Sequence, residues 1–223
     1  MERVPRKESV SYEQRLRQGG DLLLREASVF FAGEGALQRS LHRLVERLTA
    51  EGIDYALLGG LALGQHGYPR LTQDIDLLLS PAGLKRFRER LVGRGYRPAF
   101  EGAQKTFRDT ETAVRIEVIT AGEYPGDGLP KPVAFPDPSQ PGVTVDFGGV
   151  RVIALEKLIE LKLASGQSAP HRRRDLADVQ DLIRARRLPL ELAASLDISV
   201  LDLYRQIWAE AQAVDPFDEE SGG

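Results

Sequence analysis

The sequence predicts an α/β (α+β) chain, with strands confined to its first two thirds and helices filling the last. Three observations carry that reading. Short apolar runs of strand length recur at 55–58, 74–79, 96–100, 104–108, 113–119, 143–147 and 150–153, each bounded by Gly, Pro, Ser or Asp. Helical spacing separates some of them, with Leu37, Leu41, Leu44, Val45 and Leu48 on one segment and Leu84, Phe87, Leu91 and Val92 on another. Beyond residue 154 the apolar positions keep helical spacing throughout.

The bulk composition narrows the function classes. The chain has 223 residues, 42% hydrophobic and 28% charged, which suits one large globular domain or two small ones. It has no cysteine, so disulfide frameworks and thiolate metal sites are excluded. The three histidines are scattered, which argues against zinc; His42, His66 and His171 read as structural or surface residues. No apolar run reaches the roughly 18–20 residues of a membrane span, and no signal-peptide core follows the charged N-terminus, so no membrane partner and a cytoplasmic setting are expected. A net charge of −3 leaves any nucleic-acid contact to local basic patches.

In chain order, residues 1–33 read as a polar arm followed by a short helix over 22–31. A helix over 34–51 ends at Gly52. Ser80-Pro81 opens a helix running to Gly93, whose polar side carries Lys85, Arg86, Arg88 and Arg90, with Arg94 and Arg97 beyond. That face is either simply solvated or turned toward RNA or a triphosphate. The segment 122–142 is dense in Pro and Gly and predicts a long loop that covers the substrate side. The segment 155–165 is apolar nearly all round and reads as a buried helix containing Lys162. Arg172, Arg173 and Arg174 then start another helix, where cations oppose the dipole; they meet an anionic ligand or a salt-bridge lattice with Asp175, Asp178 and Asp181. A last helical region at 189–208 precedes an acidic tail at 214–223, expected to be disordered.

The chemistry concentrates in YALLGGLALGQHGYPRLTQDIDLLL, residues 55–79. The run at 55–58 is broken by Gly59-Gly60 before a helix-compatible pattern resumes. A glycine pair there lets backbone approach a ligand closely, and a branched side chain at Gly60 would block that approach. The following helix start presents free N–H groups suited to phosphate. In Asp74-Ile75-Asp76 the two carboxylates share one strand face, roughly 6–7 Å apart, while Ile75 and Leu77 point into the core. Paired carboxylates beside an apolar anchor are costly unless a cation neutralises them, and hard ions such as Mg²⁺ or Mn²⁺ take oxygen ligands of this kind.

A Gly-Gly turn, a helix and then Asp-x-Asp resemble the nucleotidyltransferase superfamily of polymerase-beta-like fold. The string Arg70-x-Thr72-x-Asp74-Ile75-Asp76 resembles its small prokaryotic branch of AbiEii-type toxins. So do the lysine helix at 158–163 and the Arg174-Asp175-x-x-Asp178 segment. The resemblance implies a mixed sheet with flanking helices at 34–153 and a helical part at 154–213. It also implies transfer of a nucleoside monophosphate from an NTP to an acceptor hydroxyl, with Mg²⁺ or Mn²⁺ on Asp74, Asp76 and a third carboxylate. Glu117, in the alternating strand Val114-Arg115-Ile116-Glu117-Val118-Ile119, matches that third position; the bland alternative is an exposed strand glutamate. Gly59, Gly60, Arg70, Thr72 and Lys162 are the implied nucleotide-binding residues, although a lysine such as Lys162 commonly snorkels to solvent instead. RNA or tRNA as acceptor and a cognate antitoxin as partner follow from the same resemblance. The rival readings are an aminoglycoside-type nucleotidyltransferase, a glycosyltransferase using Asp-x-Asp, and a non-catalytic nucleotide- or partner-binding module.

Overall fold

Residues 35–213 are described by the computed structural model; the arm and helix expected within 1–33 and the tail at 214–223 lie outside the described residues. Seven strands form one mixed sheet, the α/β class that the sequence predicts. They are β1 (Tyr55–Leu57), β2 (Asp74–Leu79), β3 (Tyr96–Pro98), β4 (Thr106–Asp109), β5 (Arg115–Thr120), β6 (Thr144–Phe147) and β7 (Val150–Ile153). Their order across the sheet is β3-β4-β5-β2-β1-β7-β6. β2 runs parallel to β5 and antiparallel to β1, while β1 is parallel to β7; the hairpins β3-β4 and β6-β7 close the two edges. The central strands are the most apolar: all of β1 is buried, as are Ile75, Leu77, Leu78 and Leu79 of β2.

Alternation sorts the sheet into two faces. On the back face, Phe107 of β4 pairs with Ile116 of β5, which pairs with Ile75 of β2. Helix α1 (Ala36–Ala50) packs against β2 there, with Leu37, Leu41, Leu44 and Leu48 buried, and it is stopped by Gly52 at φ +60°. Its Ser40 and Arg43 reach Asp109 of β4, at 2.7 and 2.6 Å. Helix α2 (Gly59–Gln65) follows β1 directly. Helix α3 (Pro81–Arg90) starts on Ser80, whose hydroxyl accepts the Gly83 N–H at 3.0 Å. Its Phe87 is fully buried, with ring centroids 5.6 Å from Tyr96 and 4.8 Å from Phe107. Loss of that ring would cost about 3–5 kcal/mol. The basic side of α3 therefore lies on the back of the sheet, away from Asp74, Asp76 and Glu117.

The helical part is α4 (Leu155–Ser168), α5 (Arg173–Arg186) and α6 (Ile198–Gln212), joined by 3-10 turns at Pro170–Arg172 and Leu190–Ser195. α4 packs on both α5 and α6, which explains why it is apolar on nearly every side. The loop between β5 and β6 is held by backbone hydrogen bonds and by Val133 and Val143, which are buried in the core. The Gly122 N–H donates to the Phe135 carbonyl and the Phe135 N–H to the Glu123 carbonyl, both at 2.8 Å.

Candidate active site

Three strand carboxylates meet on the front face. Asp74 and Asp76 occupy alternate positions of β2, and the parallel register places Glu117 of β5 directly beside Asp76. Parallel neighbours are about 4.8 Å apart across the sheet, so the three backbone positions form an L. Burial, then the charges of Glu117 and Asp74, push the Asp76 carboxyl up to about 6, against the pull of Lys162 and Arg172. The site thus holds more negative charge than its surroundings neutralise.

Part of the compensation comes from Arg115, which the sequence reading did not single out. It lies two residues before Glu117 on the same face, in register with Asp74. Its Nη2 donates to Glu117 Oε2 at 2.8 Å, and Nη1 stands 3.8 Å from Asp74 Oδ2. Among the described residues no three Asp, Glu or His side chains converge closely enough to enclose an ion. Asp74 and Glu117 instead lean toward the guanidinium. The donors still fit a hard divalent ion: all are carboxylate oxygens, they sit on adjacent strands, and their mutual repulsion is what a cation relieves.

The glycine turn closes the site on the β1 side. Leu58 donates its N–H to the Asp76 carbonyl at 2.9 Å, fixing the end of β1 against the metal-binding candidates. Gly59 has φ +60°, and a Cβ built there would collide with the Asp76 carboxylate. The positive φ falls on Gly59 and not on Gly60. Gly60 is required by packing instead, since its added Cβ would lie 2.9 Å from Thr72 Cβ. Thr72 in turn donates its hydroxyl to the Asp74 carbonyl at 3.2 Å, so it braces the start of β2. Both glycines belong to the first turn of α2, whose leading N–H groups have no intrahelical acceptor.

Across from the sheet, α4 supplies Lys162. It does not snorkel: it is buried, donating to Asp175 at 2.9 Å and Asp178 at 2.7 Å. Asp178 also accepts Arg70 at 2.5 Å, so one buried carboxylate joins two cations 92 positions apart in the chain, residues 70 and 162. Asp175 accepts Ser165 as well, at 2.7 Å. Burial works to raise the Asp175 carboxyl, but Lys162 and Ser165 outweigh it and hold it below the usual range. The arginine cluster is not part of this lattice. Asp175 and Asp178 pair with Lys162 and Arg70, and Asp181 accepts the Tyr68 hydroxyl at 2.7 Å. Arg172 alone of the three lines the cavity. The joint through Asp178 was missed in sequence because it needs a helix packing that no spacing encodes.

A cavity of about 190 Å³ lies between these parts. Gly59, Asp76 and Glu117 form its sheet side and Leu161, Lys162 and Arg172 its helical side. Pro125, Gly126 and Phe135 bring the proline-rich loop against it. Gly126, at φ +77°, leaves no room for a side chain against Ser165 and Ser168, which presses that loop onto α4. His66 stays out of the chemistry: it is buried, hydrogen-bonded to the Ile153 carbonyl at 2.7 Å and packed edge-on against Phe147.

A family model of uncharacterised nucleotidyltransferases matches residues 21–196, well over half of the chain. No match to a curated protein was found. Among solved structures, ANT(2")-Ia in complex with adenylyl-2"-tobramycin is 13% identical. It covers 78% of this chain and 98% of its own, at a TM-score of 0.48. A candidate nucleotidyltransferase from Thermotoga maritima is 22% identical, covering 63% and 92%, at 0.40. An antigenic nucleotidyltransferase-like protein from Paracoccidioides brasiliensis is 17% identical, covering 78% and 90%, at 0.44. No helix of the described residues is long and apolar enough to cross a membrane.

Proposed function

Because the chain belongs to the uncharacterised nucleotidyltransferase family and is a nucleotidyltransferase, we propose that it transfers a nucleoside monophosphate from an NTP to an acceptor hydroxyl at the Asp74–Asp76–Glu117 face. The observation that carries this reading is the register of β2 and β5, which puts Glu117 beside Asp76 while Gly59 abuts the same carboxylate.

Asp74, Asp76 and Glu117 would hold Mg²⁺ or Mn²⁺. When bound, a divalent pair stabilises the entering and leaving oxygens of an in-line displacement. The rest is done by side chains and backbone. The N–H groups of Gly59 and Gly60 face the triphosphate, helped by the absence of any Cβ at Gly59. Lys162 has three donors and spends two on Asp175 and Asp178, leaving one for a phosphate oxygen in the cavity. Arg70, held by Asp178, offers its remaining guanidinium N–H groups, and Thr72 keeps the strand start in place. Glu117 accepts the proton of the attacking hydroxyl. The oxygen of that hydroxyl bonds to the α-phosphorus as the bond to pyrophosphate breaks. Catalysis of this kind is mostly positioning and charge neutralisation.

The finer assignment is to the AbiEii-type branch, with an RNA acceptor and a partner antitoxin. It is supported by the string from Arg70 to Asp76 and by the joint that Lys162 forms with the Arg174-Asp175-x-x-Asp178 segment. The test is incubation with each α-labelled NTP and, in parallel, total RNA, protein or aminoglycosides. Label should move to RNA with release of pyrophosphate, and Asp76→Asn should lower the rate at least about 10³-fold, the several kcal/mol that ion-assisted charge stabilisation supplies. Label on aminoglycoside alone would replace the acceptor. Undiminished transfer by Asp76→Asn would remove the site.

A further inference from the structure

The front face carries a second charged feature beside the carboxylates. Three arginines stand in one cross-strand row: Arg97 of β3 pairs with Arg108 of β4, and Arg108 pairs with Arg115 of β5. The next position in the row is Asp74. The flanking residues Tyr96, Phe107, Asp109 and Ile116 are buried toward the back, which fixes all three arginines on the carboxylate face. Like charges directly opposite each other on neighbouring strands are destabilising. Here two such pairs follow in succession. Arg115 is the row's one member with an ion pair among the described residues, while Arg108 donates to the Ala113 carbonyl at 2.8 Å. Arg97 is exposed at the sheet edge.

We propose that this row is an anion track that delivers a nucleic-acid acceptor to the carboxylates, with single-stranded RNA backbone phosphates lying across Arg97, Arg108 and Arg115. The inference rests on the transferase reading of the site and adds the surface along which its acceptor is held. Direction supports it. The glycine turn that would seat the NTP lies on the β1 side of β2, whereas the row leaves β2 on the β5 side and ends at the edge strand β3. Donor and acceptor thus approach Asp74 and Asp76 from opposite sides. Three strands span about 10 Å at their usual spacing, the scale of a short run of phosphates. The basic side of α3 is on the other face of the sheet and plays no part in the track.

The experiment is fluorescence anisotropy of a labelled single-stranded uridine oligomer on the full chain, in EDTA and without NTP, titrated at several NaCl concentrations. Three phosphate contacts predict a slope of log affinity against log salt near −2, from about −0.7 per contact. Arg97→Gln with Arg108→Gln should shrink the slope by roughly 1.4 and weaken binding about tenfold, uniformly across sequences. Arg86→Gln with Arg90→Gln, on the back face, should leave both unchanged. A normal slope and affinity in the Arg97/Arg108 double variant would overturn the track, as would equal loss in the back-face variant. Displacement by poly-glutamate as effective as by RNA of equal charge would overturn nucleic acid as its occupant. Asp76→Asn should still bind the oligomer while losing transfer. A chain that binds RNA through the row but transfers nothing from any NTP would keep the track and refute the transferase reading on which it was built.

Discussion

Asp109 and Asp76 sit in the same sheet, on opposite faces, and meet opposite fates. Asp109 is 1% exposed and fully answered. It takes Ser40 at 2.7 Å, Arg43 at 2.6 Å, and the N–H groups of Glu111 and Thr112 at 2.8 and 3.3 Å. Burial alone would raise its carboxyl, but those partners hold it below the ordinary range. Asp76 has no such set; burial and two neighbouring acids push it to about 6. A buried acid with its partners in place holds structure together. One left beside two more acids, under a glycine that cannot carry a side chain, is the kind of acid on which the proposed function rests.

That contrast is broken most forcefully at Asp109. Asp109→Ala takes the acceptor from Ser40 and from the N–H groups of Glu111 and Thr112 and leaves Arg43 with Glu111 alone, and should cost about 3 kcal/mol in urea unfolding. The transfer rate per folded molecule should remain near normal. A loss of turnover without loss of stability would erase the distinction between the two acids.

The next effect is of opposite sign. A carboxyl raised in the folded state binds its proton more tightly there than in the unfolded chain. Folding is therefore favoured as pH falls through about 6, and the penalty is complete above it. In EDTA, Asp76→Asn should be more stable than the parent by about 2 kcal/mol near pH 8, the gap closing toward pH 4. Paired unfolding curves check this; a variant less stable at pH 8 would make Asp76 a structural acid like Asp109. In the presence of metal, which competes with the proton for this carboxylate, the rise of activity with pH should move below that region.

The smallest effect sharpens the glycine turn. Gly60→Ala, whose Cβ would stand 2.9 Å from Thr72 Cβ and must push it aside, should cost about 1–2 kcal/mol and weaken NTP binding modestly. Gly59→Ala must bear both a positive φ and the Asp76 carboxylate, so its NTP affinity should fall further. Equal behaviour of the two would mean that the turn is tolerated as packing alone.

Much of this was legible in the sequence, and the residues show why. Strand alternation alone placed Asp74, Asp76 and Glu117 on outward faces, because a period of two needs no tertiary knowledge. It could not say that Glu117 would fall beside Asp76, since register belongs to the pairing of two strands whose partners lie 41 positions apart. The row from Arg97 to Arg115 was invisible for the same reason. Helical spacing finds the buried side of α3 through Phe87, but not which face of the sheet receives it, so it leaves open whether the basic residues are solvated or turned toward RNA or a triphosphate; they lie on the back of the sheet. Lys162 was found as a lysine within an apolar helix. Its partners Asp175 and Asp178 became clear only when α5 packed against α4.

The most direct measurement of the central claim is calorimetric titration of Mn²⁺, with a non-hydrolysable NTP analogue present, into the parent, Asp76→Asn and Asp109→Asn at a temperature where all three are folded. On the proposal that the front-face acids hold a divalent ion, the parent and Asp109→Asn should bind Mn²⁺ alike, and Asp76→Asn should lose binding by about a hundredfold or more, in line with the loss of one of three carboxylate ligands. Binding that survives in Asp76→Asn, or that fails in Asp109→Asn while the protein stays folded, would contradict the account.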